Sequence, residues 1–282
     1  MRVVALMLLT AIVGMYLAVP HASMISFSLF IWANLGIAFC ASAAAVVNHL
    51  VDRRIDAIMT RTKRRPLVQG KVTPKGAMIF ALSLGLIGFG VLWFKVNELT
   101  AWLTLLSLVG YAIIYTGYLK RATPQNIVIG GLAGAAPPLL GWTAVTAQLD
   151  TNALLLVLLI FVWTPPHFWA LAVARFEDYS KAKIPMMPVT HGIVFTKLQI
   201  LLYTVLLIVA TVFPFAVGMS GMLYLMGAML LNARFLYWAI CLRNTSEKIA
   251  EAAIAMKMFR FSITYLGALF ALLLIDHYGG VF

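Results

Sequence analysis

Nine apolar runs dominate this chain, at residues 3–20, 25–47, 76–94, 99–118, 126–147, 152–174, 196–217, 220–242 and 261–279. A helix needs about 20 apolar residues to cross a bilayer, so nine such runs absorb most of the 282 residues. The chain is 63% hydrophobic and 11% charged, against roughly 45–50% and about 25% in an ordinary soluble domain. That excess excludes a soluble globular enzyme, a disordered chain and a secreted disulfide scaffold. The expected fold is all-α, a polytopic nine-helix bundle solvated by lipid and forming one unit over residues 1–282. The first run does not read as a cleavable signal peptide, because one charge precedes it, no small-residue cleavage site follows, and eight more spans lie beyond it. Cys40 and Cys241 both sit in apolar runs and offer neither metal spacing nor a disulfide framework.

The net charge is +12. Nucleic-acid binding is one explanation of such a balance, but the placement of the charges supplies another. The three longer connections, 48–75, 175–195 and 243–260, all follow even-numbered spans and so share one membrane face. With Arg2, Lys120, Arg121 and Lys197, that face carries 19 of the 21 basic residues; Lys95 lies opposite and Arg234 falls within a span. The positive-inside rule makes this face cytoplasmic. The N-terminus is then inside, the C-terminus outside, and no nucleic-acid partner is expected. The acids are skewed likewise, with only Glu98, Asp150 and Asp276 on the opposite face.

One stretch carries chemistry. Asn48, Asp52 and Asp56 are spaced i, i+4, i+8 and stack on one face if the second helix continues past the bilayer edge. Two carboxylates one turn apart repel each other on a bare helix, and a divalent cation turns that repulsion into binding. Oxygen ligands at this spacing suit Mg²⁺, which shares carboxylates with substrate phosphates. Arg61, Lys63, Arg64 and Arg65 follow, and guanidinium groups bind phosphate oxygens in pairs. The pattern predicts a site for a metal-bridged diphosphate; the plainer alternative is that the acids merely offset a basic loop.

Asn48-x-x-x-Asp52-x-x-x-Asp56, followed by Met59-x-Arg61-Thr62-x-x-Arg65-Pro66, resembles the UbiA superfamily of intramembrane prenyltransferases. Three further segments resemble its haem-modifying branch: Tyr115-Thr116-x-x-Leu119-Lys120-Arg121, Gly134-Ala135-Ala136-Pro137-Pro138-x-x-Gly141, and Pro166-His167-Phe168 with Arg175-Phe176-x-Asp178-Tyr179. The resemblance spans essentially the whole chain. It implies a nine-helix bundle with a central cavity open to the cytoplasmic side, in the inner membrane of a bacterium. It also implies farnesyl transfer from farnesyl diphosphate to a vinyl group of haem b, with water added, giving haem O for a haem A synthase or a terminal oxidase. The family's second Asp-x-x-x-Asp motif is incomplete here, since the loop after span 6 reads Arg175-Phe176-Glu177-Asp178; Asp178 is the favoured third Mg²⁺ carboxylate beside Asp52 and Asp56. The family's polar lead ending in Lys-Pro-Arg is also missing before span 1, which predicts a less firmly anchored first helix.

Within that frame, Arg61, Arg65, Lys120 and Arg121 are the expected diphosphate contacts, although Lys120-Arg121 also fits an ordinary basic flank. Tyr115 and Phe168 are the expected walls of the prenyl pocket, with Trp142 and Trp169 as further aromatic candidates. His167 follows Thr164-Pro165-Pro166, where the prolines are expected to bend or break the helix. An ionisable residue inside a span points to function: His167 either ligates haem or is a hydrogen-bonded core histidine. Arg234 either snorkels to the surface or faces a haem propionate. The rival functions are prenylation of an aromatic or quinone-precursor acceptor, a transporter with midplane helix breaks, and a structural subunit.

Overall fold

The computed structural model describes residues 2–60 and 62–279. In chain order the helices are α1 (Arg2–Leu17), α2 (Phe27–Val51), α3 (Arg53–Ile58), α4 (Pro74–Lys95) and α5 (Glu98–Val109). Helix α5 passes through a π-helical stretch, Gly110–Leu119, into α6 (Lys120–Ala122). Then come α7 (Asn126–Ala135), α8 (Pro137–Thr146), α9 (Thr151–Ala174), α10 (Phe176–Lys181), α11 (Met187–Thr190), α12 (Gly192–Ala216), α13 (Met222–Asn244) and α14 (Lys248–Gly279). No strand occurs among the described residues.

Among the described residues, eight segments are long and apolar enough to cross a membrane: α2, α4, α5–α6, α7–α8, α9, α12, α13 and α14. The chain is therefore a multi-pass membrane protein. The first expected span is a shorter apolar helix, α1, about 24 Å long against about 30 Å of hydrocarbon. It is nonetheless held firmly. A Cβ on Gly14 would sit 2.1 Å from the Pro138 carbonyl oxygen, and one on Gly141 would sit 1.9 Å from that of Ala11. The two glycines thus let α1 and α8 touch backbone to backbone. At its far end, the Tyr278 hydroxyl donates to the Tyr16 carbonyl at 2.6 Å, and His277 Nε2 lies 2.9 Å from the Val19 carbonyl.

Helix α9 is apolar all round, as a helix at the centre of a bundle must be, and it packs on α7, α8, α12 and α14. The expected break at Pro165-Pro166 does not occur, because α9 runs unbroken through both prolines. Both are buried against neighbouring helices, the setting in which membrane helices tolerate proline. At Pro137-Pro138 the span is divided: α7 ends at Ala135 and Pro137 opens α8, with Ala136 between them in helical conformation. The connection expected over 243–260 is mostly helical, since α14 starts at Lys248. Its first turns are rich in strong helix formers, and Glu251, Ala255 and Met258 are buried. Lys197 on α12 holds that turn, donating to Glu251 Oε1 and to the Thr245 carbonyl, both at 2.6 Å.

Candidate active site

Helix α2 outlasts its apolar run and ends at Val51, with Asp52 as its C-cap. The helical hydrogen bonds carry on across the joint: Asp52 N–H donates to the Asn48 carbonyl at 3.0 Å, and Asp56 N–H to the Asp52 carbonyl at 2.8 Å. Asn48, Asp52 and Asp56 are therefore stacked on successive turns, as their spacing predicts. Asp52 and Asp56 are only 1% and 4% exposed. Two carboxylates buried this deeply need counter-charges. Lys120 Nζ pairs with Asp52 Oδ2, and Arg65 Nη1 lies 2.5 Å from Asp56 Oδ2. Arg121 is looser, with Nη2 3.9 Å from Asp52 Oδ1 and 3.0 Å from the Val51 carbonyl it donates to.

The π-helical stretch sets this arrangement. It packs against α2 and ends one residue before Lys120. Extended π-helix is rare, and π-turns gather at functional sites. Here it turns Thr116 and Lys120 toward α2: the Thr116 hydroxyl donates to the Tyr111 carbonyl at 2.8 Å and accepts from Asn48 Nδ2 at 3.2 Å. A hydroxyl has one proton. Because Thr116 gives that proton to Tyr111, Asn48 must present its NH₂ to Thr116, so its Oδ1 is not the atom that meets Thr116. Tyr115 lies on the same stretch with its ring 5.4 Å from that of Tyr111. Gly130 makes room for it, since a Cβ there would come within 2.1 Å of the ring.

The loop after α3 reaches α10, which follows α9. Thr60 Oγ1 donates to Asp178 Oδ1 at 3.1 Å, and Thr62 Oγ1 donates to the Asp56 carbonyl at 3.2 Å. Asp178 is thus tied to the first motif, whereas neighbouring Glu177 is exposed. Arg61 lies outside the described residues.

The donor set fits Mg²⁺. Asp52 Oδ1 is buried with no hydrogen-bond partner, and the neighbouring turns carry the Asp56 carboxylate and the Asn48 amide. Among the described residues no three His, Cys, Asp or Glu side chains form a closed cage. One or two carboxylates completed by waters and phosphate oxygens is the usual Mg²⁺ pattern.

His167 is buried within α9, its ring stacked between Trp163 at 4.2 Å and Phe259 at 4.6 Å. Its Nδ1 lies 2.6 Å from Ser262 Oγ, and Ser262 gives its own proton to the Phe259 carbonyl at 2.7 Å. Nδ1 must therefore be the protonated nitrogen, leaving the lone pair on Nε2. Phe168 is 39% exposed and meets the His167 ring edge-on. Trp142 and Trp169 are buried, each with an unpartnered Nε1.

Arg234 is not brought to the interior. It is exposed, with its guanidinium over its own helix's Tyr237 and Trp238. A cavity of about 330 Å³ lies between α2, α4 and the basic loop, lined by residues including His49, Pro66, Leu67 and Phe80. Sequence reasoning passed over Thr60, Thr62 and Thr116 as partners. Thr62 and Thr116 carried a signal, their places inside the Met59–Pro66 and Tyr115–Arg121 segments, and Thr60 carried none.

The chain matches the sequence profile of the UbiA prenyltransferase family over residues 7–263. It is 62% identical over 277 residues to the Protoheme IX farnesyltransferase of Legionella pneumophila (strain Lens), covering 98% of this chain and 92% of that one. Its fold resembles that of the apo UbiA homolog from Aeropyrum pernix K1, with a TM-score of 0.75 at 18% identity over 98% of each chain. It also resembles a UbiA homolog from Archaeoglobus fulgidus solved bound to GPP and Mg²⁺, with a TM-score of 0.67 at 15% identity over 96% of each chain. The chain belongs to the UbiA prenyltransferase family.

Proposed function

We propose that this protein transfers the farnesyl group of farnesyl diphosphate to a vinyl group of haem b, with addition of water, to give haem O and diphosphate. The observation that carries the reading is the buried pair Asp52 and Asp56, one turn apart at a helix end and each matched to a cation. It stands in a chain that is similar along 98% of its length to a protoheme IX farnesyltransferase.

Breaking the allylic C–O bond leaves negative charge on diphosphate. Mg²⁺ bound at Asp52 and Asp56 supplies Lewis-acid stabilisation of that charge. Asn48, one turn before Asp52, is assigned to offer its amide oxygen to the same metal, and Asp178, held near the first motif by Thr60, is assigned as a third carboxylate that joins when the metal and diphosphate bind. Lys120, Arg65 and Arg121, with Arg61, are the cations that contact the leaving diphosphate; preorganised positive groups of this kind lower the barrier where charge develops. The rings of Tyr115 and Phe168 shield the allylic cation from water and stabilise it. His167 offers Nε2 to haem iron, with its ring orientation fixed by Ser262. The substrates enter a central cavity from the cytoplasmic side of a bacterial inner membrane, with the N-terminus inside and the C-terminus outside, as the basic residues support. Haem O then passes to a haem A synthase or to terminal-oxidase assembly.

The test is incubation of the purified protein with haem b, farnesyl diphosphate and Mg²⁺, followed by mass analysis of the haem. Haem O is the expected product. Unmodified haem, together with prenylation of an aromatic or quinone-precursor acid offered in parallel, overturns the haem assignment.

A further inference from the structure

Arg234 is a cation within a span that the reaction site does not use. On α13 it shares an exposed stripe with Met226, Leu230, Tyr237 and Ile240, while Phe235 and Ala239 are buried on the other side. That stripe faces lipid. The Arg234 guanidinium carbon lies 4.9 Å from the Trp238 ring centroid, and Lys257 from α14 brings its Nζ to 5.9 Å from the same ring. Lys257 is exposed. None of the ion pairs among the described residues includes either cation. Two unpaired charges thus converge on one ring at the protein's outer surface.

Their depth follows from the packing of α13 on α14. Asp276 accepts hydrogen bonds from Gly221 N–H at 2.5 Å and Tyr224 N–H at 3.0 Å, which fixes the register at one boundary of the membrane. From that level Arg234 lies about 20 Å and Trp238 about 25 Å along α13, and Lys257 about 28 Å along α14. Trp238 and Lys257 are near the far edge of a hydrocarbon layer about 30 Å thick, and the Arg234 side chain extends toward that edge to lie over Trp238. That edge is the side of Asp52, because Lys197 ties the α13–α14 turn to the start of α12, which follows the Asp178 loop.

We propose that Arg234 and Lys257, with Trp238 between them, bind the phosphate of an anionic phospholipid in the leaflet on the carboxylate side. The guanidinium is suited to paired phosphate oxygens, Trp and Tyr favour headgroup depth, and the absence of a carboxylate partner leaves both charges available. This inference stands apart from the prenyl-transfer reading and uses none of its residues' roles in that reading.

The test is native mass spectrometry of the full chain titrated with phosphatidylglycerol and phosphatidylcholine of identical acyl chains. The wild type is expected to retain phosphatidylglycerol preferentially. That preference should fall about fivefold in Arg234→Gln and again in the double variant with Lys257→Gln, since each basic side chain is worth about 1 kcal/mol at an anionic surface. Lys75→Gln, which removes an exposed charge elsewhere on the same face, should leave the preference intact. Three results overturn the proposal: no preference in the wild type, an equal loss in Lys75→Gln, or displacement of the lipid by inorganic phosphate at matched concentration.

Discussion

Asn48 Nδ2 donates to Thr116 Oγ1 across 3.2 Å, and the single proton of that threonine is already committed to the Tyr111 carbonyl. The contact fixes which end of the Asn48 amide meets Thr116 and leaves Oδ1 for the metal site proposed at the carboxylates. Outer partners of this kind typically change metal affinity or activity by about 10–100-fold when lost. Thr116→Val, which keeps the shape and removes the hydroxyl, should raise the Mg²⁺ concentration needed for half-maximal haem O formation by about tenfold or more. Thr116→Ser should restore it. An unchanged Mg²⁺ dependence in Thr116→Val would show that the amide needs no such support.

Lys120 and Arg121 are neighbours in sequence with different work. Lys120 is largely enclosed and pairs with Asp52, whereas half of the Arg121 side chain is exposed and its Asp52 contact spans 3.9 Å. Removing one partner of a buried pair costs about 3–5 kcal/mol, whereas an exposed pair contributes at most about 1 kcal/mol. Lys120→Met should therefore lower thermal stability in detergent clearly more than Arg121→Gln. Equal shifts would contradict the assignment of Lys120 as the Asp52 counter-ion.

The difference between those two residues marks how far the sequence could be read. Their position at the end of a span was visible, and so was the i, i+4, i+8 spacing of Asn48, Asp52 and Asp56. Those features depend on helical periodicity and apolar run length, which are local. The pairing of Lys120 with Asp52 is not local: it depends on the π-helical stretch before Lys120, which alters the rotational register of the segment without an obvious mark in the residues. The same limit applies at two further places. Pro165-Pro166 suggested a bend or break, but α9 stays helical through both prolines, which are buried among its neighbours. Arg234 had two open readings, and only packing, with Phe235 and Ala239 turned inward, shows that its helix face points to lipid.

The Lys197–Glu251 pair is buried at both ends and holds the turn that starts α14. Lys197→Met should destabilise the protein by about 3–5 kcal/mol, because Glu251 is left uncompensated. Adding Glu251→Leu should recover part of that loss, since an apolar pair of similar volume avoids burying a lone charge. Thermal unfolding of the single and double variants in one detergent reads this directly, and a double variant less stable than Lys197→Met would contradict it.

Gly141 tests the anchoring of α1. Its missing Cβ is what lets the Ala11 carbonyl oxygen approach, at 1.9 Å from where that atom would be. Since the obstacle is backbone, no rotamer can relieve it. Gly141→Ala should destabilise the protein by about 1–3 kcal/mol and increase protease access to α1. Gly90→Ala, where a Cβ meets nothing within 4 Å, serves as the control and should be close to neutral.

The central claim is that Asp52 and Asp56 hold the metal that takes charge from the leaving diphosphate. Haem O formation by Asp52→Asn, measured across a Mg²⁺ titration at matched protein levels in membranes, tests it most directly. Asn keeps the size and one oxygen but removes the charge that binds the cation. The account predicts a loss of about 100-fold or more in turnover that added Mg²⁺ does not restore, while the protein remains inserted and folded. Turnover at the wild-type level with the same Mg²⁺ dependence would contradict it.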